Sequence, residues 1–251
     1  MARVESESEH FHCRHSAEFT ADAARVLALL ERTRERLGEH FAQQPQLLTV
    51  VLHDSVASLA LSNPLLALQW ALTGRAARRY VTGWCGRREL HVLSPEALRR
   101  RSSAVTGSFE MLALAPASLL ARRVIIGQLP QLSAARAPLR LFAELRCAWL
   151  LDGVSRWISG ESAYSRGAIA ARMRDGRRPR FPPGAGDAPL LAPALVELLV
   201  KARGSAAVAD LVFGLREGGE RTAITRAFAG RTLDAVESDW RSTLRRVAEG
   251  R

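Results

Sequence analysis

The run Leu47-Leu48-Thr49-Val50-Val51-Leu52 constrains the fold more than any other stretch of the chain. It is short, continuous and rich in β-branched residues. Such a run predicts a strand buried on both faces, and hence a sheet with other layers packed over it. Weaker signals surround it. Residues 10–15 alternate as a strand and lead into a helix whose Ala23, Val26, Leu30 and Leu37 fall at helical spacing. Residues 80–84 and 89–93 flank Cys85-Gly86-Arg87-Arg88 as the arms of a hairpin. Ser94-Pro95-Glu96 then opens a helix, with serine as cap, proline in the first turn and a carboxylate at the positive end of the dipole.

Beyond that point the strand signals stop. Pro116 starts a helix through Leu120, Val124 and Ile125, and Pro138 starts another with Leu141, Leu145 and Trp149 on one face. Residues 176–193 are rich in Gly, Pro and Arg and read as a long surface loop. Thr232 caps a last helix, whose Leu233, Val236, Trp240, Leu244 and Val247 form one apolar stripe. The expected class is α+β, a small N-terminal mixed β-sheet with helices followed by a mostly helical C-terminal half. One domain spans residues 9–248. It comprises a sheet lobe (9–104), a helical section (105–175), the loop (176–193) and a helical lobe (194–248).

Composition excludes several functions. Three cysteines with no C-x-x-C pair leave neither a disulfide framework nor a cysteine-type zinc module. The opening MARVESESEH lacks the apolar stretch of a signal peptide, so a cytoplasmic location is expected. Residues 55–74 carry no charge over 20 positions, but Ser58, Ser62, Asn63, Pro64 and Gln69 interrupt them. Asn63-Pro64 reads as a turn between two short helices rather than the middle of a membrane span. The formal charge of +11 comes almost wholly from arginine, which an arginine-rich coding bias would also produce. Lys201 is the only lysine and follows Val200, so no Walker-type phosphate loop exists.

The motif Trp149-Leu150-Leu151-Asp152-Gly153-Val154-Ser155-Arg156-Trp157, with the element order before it, resembles the peptidase MA-like domains of the gluzincin metallopeptidases. The terminal Gly230-Arg231-Thr232-Leu233-Asp234 through Trp240 is similar to that family's closing helix. The resemblance spans almost the whole chain and implies a zincin-like fold. It also implies that the preceding helix carries His-Glu-x-x-His, two imidazoles on one face that bind zinc with a glutamate as general base. Matched to this chain, Gly127 stands at the first histidine, Gln128 at the base, Gln131 at the second histidine and Asp152 at the third ligand. Glycine offers no ligand atom, amides are poor zinc donors, and Pro130 breaks the helix between them. All six histidines, moreover, lie at or before His91. The implied protein is a catalytically inactive relative with no metal and no cofactor. Trp149, Gly153 and Trp157 would line a former active-site cleft that holds an extended peptide or protein segment.

Other groups carry less. His10, His12, Cys13 and His15 resemble a metal cluster, but on a strand His10 and His12 share one face while Cys13 and His15 point the other way. His40, His53 and His91 stand alone in the sequence and read as structural. Cys147 reads as a small core residue. Glu144 and Asp152, eight apart on one predicted helix, are expected to pair with an arginine. Arg99-Arg100-Arg101 and residues 172–180, with Tyr80, Trp84 and Phe181, offer a nucleic-acid surface as one alternative function, without any recognition motif. The other alternative is a metal-independent enzyme that reuses the cleft, for which the sequence offers no identifiable nucleophile or base.

Overall fold

The computed structural model describes residues 3–136 and 139–250. β1 (Arg3–Glu7) turns back into β2 (Phe11–Ser16), and α1 (Thr20–Gly38) crosses to β3 (Leu48–His53). Three short helices follow: α2 (Val56–Ser62), α3 (Leu65–Leu72) and α4 (Arg75–Arg78). β4 (Gly83–Cys85) and β5 (Glu89–Leu93) then form the expected hairpin. The spatial order is β1-β2-β3-β5-β4. β3 runs parallel to β2 and β5, whereas both outer pairs are antiparallel. The sheet is therefore mixed, with the Leu48–Leu52 run at its centre.

The rest is helical. α5 (Pro95–Arg101), α6 (Ser108–Ala113), α7 (Ala115–Gln128) and α8 (Pro130–Ser133) precede α9 (Leu139–Arg146) and α10 (Ala148–Ser159). α11 (Arg166–Arg174), α12 (Ala188–Arg203), α13 (Ala207–Ala227) and α14 (Leu233–Ala248) complete the chain. The class is α+β, with a helical C-terminal half.

The central strand is buried unequally, not on both faces. Leu48, Val50 and Leu52 are buried, and Phe11, Cys13, Leu90 and Val92 extend that face on the adjacent strands. α1 and α7 pack together on the buried side of the sheet. Thr49 and Val51 are only half-buried because α2 covers part of the other face. Toward β1 that face is polar: Arg14 bonds Glu5 at 3.0 Å and His12 pairs with Glu7 at 3.1 Å.

Behind the sheet, α10 packs between α7 and α12. Gly153 permits the close approach, since a Cβ there would sit 3.1 Å from the Ala192 carbonyl oxygen of α12. Thr232 caps α14 as expected, accepting from the Ala235 N–H at 3.3 Å, and Trp240 is fully buried with its indole N–H donating to Leu191 O.

Three expectations need correction. The loop ends before Ala188, because Pro189 fits the first turn of α12 and Leu190, Leu191 and Leu195 supply a buried helical stripe. The predicted helix carrying Glu144 and Asp152 is two helices, broken at Cys147 (φ −97°, ψ 12°), which is half-buried at the junction. Pro138, its expected start, lies outside the described residues. The first arm of the hairpin starts at Gly83 rather than at residue 80, and α13, inside the expected helical lobe, turns at Gly219, where φ is 78°.

Candidate functional site

A cavity of about 330 Å³ opens between the edge strand β4, the α2–α3 turn, and helices α7, α9 and α10. α7 is apolar on its sheet side, where Leu120, Ala121, Val124 and Ile125 are buried. Ser118, Leu119 and Arg122 instead reach the cavity. They stand at i, i+1 and i+4, so Ser118 and Arg122 lie on one helical face. Gly83 lets α7 approach the edge strand, because a Cβ at that position would overlap the Leu119 side chain and the His91 carbonyl.

Six charged side chains meet on the cavity wall. Arg122, with 11% of its side chain exposed, donates to Asp152 at 3.2 Å and to Glu144 at 3.2 Å. Arg140 donates to Glu144 at 2.7 Å and to the Cys85 carbonyl of β4 at 3.2 Å. Arg156 lies 3.7 Å from Asp152, donates to the Tyr80 carbonyl at 2.8 Å and forms a close pair with Glu161. The Ser118 hydroxyl donates to that of Ser155 at 3.4 Å.

The electrostatics follow from burial. Desolvation works against the Arg122 guanidinium, but Asp152 and then Glu144 outweigh it and hold it above the ordinary arginine range. Glu161 is 1% exposed, and burial pushes its carboxyl up to about 7 against the pull of Arg156 and Ser118. Glu161 Oε1 and Arg156 Nε are buried without a hydrogen-bond partner among the described residues, although both residues line the cavity. Both atoms are closed off from solvent within the wall.

Strand β4 contributes its free edge. It pairs only with β5, and the register turns the backbone groups of Trp84 toward His91. Gly83 and Cys85 therefore present theirs to the other side, where Arg140 holds the Cys85 carbonyl.

Of the sequence-predicted site residues, only Asp152 enters this cavity. Gly127 and Gln131 are exposed, and Gln128 donates to the Gln43 carbonyl in a separate hollow beside Phe213. Pro130 is the physical reason: α7 ends at Gln128 and α8 starts afresh, so positions 127, 128 and 131 never share one helical face. Trp149, Gly153 and Trp157 do not line the cavity either. Trp149 is buried, Gly153 faces α12, and Trp157 meets His40 edge-on with ring centres 5.7 Å apart. The α10 residues that do line it are Asp152, Ser155 and Arg156. Glu144 and Asp152 meet an arginine as expected, but Arg122 itself was missed. Its signal was a lone charged pair, Arg122-Arg123, inside an otherwise apolar helix.

The remaining candidates disperse. His10 binds the Glu31 carboxylate at 2.9 Å, Cys13 is buried with its thiol pushed up to about 12, and His15 bonds Ser6 and Ser16. Among the described residues, no group of three or more His, Cys, Asp or Glu side chains could hold a metal ion. His53 and His91 are not isolated: they share a hydrogen bond of 3.0 Å across β3 and β5, and Trp84 stacks on His91 at 4.1 Å. In the arginine runs Arg99 and Arg100 pair with Glu96 and Arg172 with Asp187, whereas Arg174, Arg177, Arg178 and Arg180 are exposed; Tyr80 is buried. No helix among the described residues is long and apolar enough to cross a membrane.

Comparison of the chain with protein-family models, with curated proteins and with solved structures gives no match.

Proposed function

We propose that this protein is a catalytically inactive, zincin-like pseudopeptidase whose cleft binds an extended peptide or protein segment. The observation that carries this reading is the placement of Ser118, Leu119 and Arg122 on α7 against Asp152 on α10, beside the free antiparallel edge of β4. A gluzincin presents its zinc ligands and base at this spacing, with the third ligand on a following helix. On this reading the degenerate motif lies nine residues upstream of Gly127, Gln128 and Gln131 and keeps Asp152.

The donor set does not fit zinc. Serine is a weak ligand, Leu119 cannot accept a proton, and the Arg122 guanidinium puts a permanent cation within 3.2 Å of the one remaining carboxylate ligand. The Gly83 backbone offers a donor and an acceptor to an added strand, and the charged wall offers polar partners for its side chains.

The test has two arms. Ser118→His, Leu119→Glu, Arg122→His and Asp152→Glu together are expected to bring close to one equivalent of zinc through purification, while Gly127→His with Gln131→His brings none. The unaltered protein is expected to retain members of an unstructured peptide library without cleaving them, with or without added zinc. Zinc-dependent cleavage by the unaltered chain, or no zinc in a folded four-site variant, would refute the reading.

A further inference from the structure

Helix α3 turns its apolar face outward. Pro64, Ala67, Leu68, Ala71 and Leu72 are all exposed and recur at the spacing of a single helical stripe. Leu68 is 40% exposed and Leu72 47%, and Leu61, at the end of α2, is 85% exposed. No charged residue interrupts residues 55–74. In a water-facing helix this stripe is where charges belong, so the face is built to meet something apolar.

A basic rim adjoins it. Arg75 and Arg78 of α4 are exposed directly after the stripe, and neither has a carboxylate within ion-pair distance among the described residues. The C-terminus of α5 packs behind them: Arg101 donates to the Arg78 and Arg79 carbonyls at 2.9 and 2.7 Å, and its guanidinium lies 5.8 Å from the Trp70 ring of α3. Three arginines thus gather at the end of the apolar stripe.

We propose that α2–α4 form a peripheral docking surface for an anionic phospholipid membrane. The leucines of α2 and α3 enter the acyl boundary, and Arg75 and Arg78 meet the headgroup phosphates. Charge complementarity selects this occupant, since an apolar face that ends in two exposed arginines without carboxylate partners matches a phosphate-bearing surface. The same segment forms one lip of the cleft through Ser62, Asn63, Pro64, Leu65 and Gln69. A second wall, α9, exposes Leu139 (71%) and Phe142 (53%). Docking would therefore place the cleft beside the bilayer. The inference stands apart from the pseudopeptidase reading and does not depend on it.

Co-sedimentation of the full chain with vesicles tests it. Vesicles of phosphatidylcholine mixed with phosphatidylglycerol are expected to bind the protein about tenfold or more tightly than phosphatidylcholine alone, with the difference shrinking as salt rises. Leu68→Glu with Leu72→Glu is expected to weaken binding about tenfold or more while leaving the thermal melt in place. Arg75→Ser with Arg78→Ser is expected to abolish the preference for anionic lipid, whereas Arg25→Ser with Arg32→Ser, on α1 across the sheet, leaves it intact. Equal binding to both vesicle types, or binding untouched by the leucine variant, overturns the proposal. So does a dimer in sedimentation velocity that the leucine variant dissolves, which would assign the face to a second copy of the chain.

Discussion

Replacing Arg122 by methionine isolates the cost of the buried ion network. The substitution keeps the length and apolar stem of the side chain and removes only the guanidinium. Asp152 and Glu144, each 15% exposed, would then face each other without their shared cation. Breaking a buried pair from one side costs about 3–5 kcal/mol. Here Glu144 keeps Arg140 at 2.7 Å, but Asp152 keeps only Arg156 at 3.7 Å, so the lower end applies. A loss of about 3 kcal/mol corresponds to a fall in melting temperature of roughly 6–12 °C at this chain length. Adding Asp152→Asn removes the stranded charge and is expected to recover part of the loss. Circular-dichroism melts at pH 7 measure all three proteins. A fall of less than about 2 °C for Arg122→Met, or no recovery on adding Asp152→Asn, would refute the account of the network.

Glu161 prefers its protonated form in the fold, so its contribution to stability is present at low pH and is lost as pH rises from about 4.5 to 7. Glu161→Gln is expected to flatten this part of the stability–pH curve, and an unchanged slope in denaturant titrations would rule the assignment out. His91 is depressed by burial against the pull of Glu89, so its ring is expected to titrate below about 6.5 by NMR, and stability it supports is lost as pH falls. Ser58, His53, His91 and Glu89 form a chain that suits two neutral rings, with contacts of 2.9, 3.0 and 3.2 Å. Gly153→Ala is expected to cost about 1–3 kcal/mol in chemical denaturation by forcing α10 away from α12, and a neutral result would mean that the two helices are not in close contact.

Local pattern was enough to read β2, β3, β5 and the two ends of the helical lobe, but it missed β1. The β-rich run, the Ser94 cap and the Thr232 cap act over a few residues, and the Ser94 hydroxyl does accept from the Ala97 N–H at 3.3 Å. The candidate site was not legible in the same way. Pro130 could be read as a helix breaker, but its consequence is tertiary. Once α7 stops at Gln128, only the turn carrying Ser118, Leu119 and Arg122 can face α10 across the cavity. The choice between a ligand set at 118–122 and one at 127–131 rests on which turn β4 and Gly83 allow close, and no spacing within α7 encodes that. The half-covered sheet face escaped for the same reason. Val51 looks like a core residue until α2 leaves it at the margin.

The persistence of the charged network needs a reason other than stability. Six ionisable side chains taken from water into a cavity wall incur a desolvation cost that their mutual attraction only offsets, and well-packed apolar residues of similar volume are often as stable or more so. The network is also incomplete, since Glu161 Oε1 and Arg156 Nε have no hydrogen-bond partner. An unpartnered acceptor and donor on buried side chains add to that cost. Arg140 caps the Cys85 carbonyl, so the Gly83 backbone is what the edge of β4 keeps for an added strand. The proposed recognition role would account for an arrangement that is costly for folding.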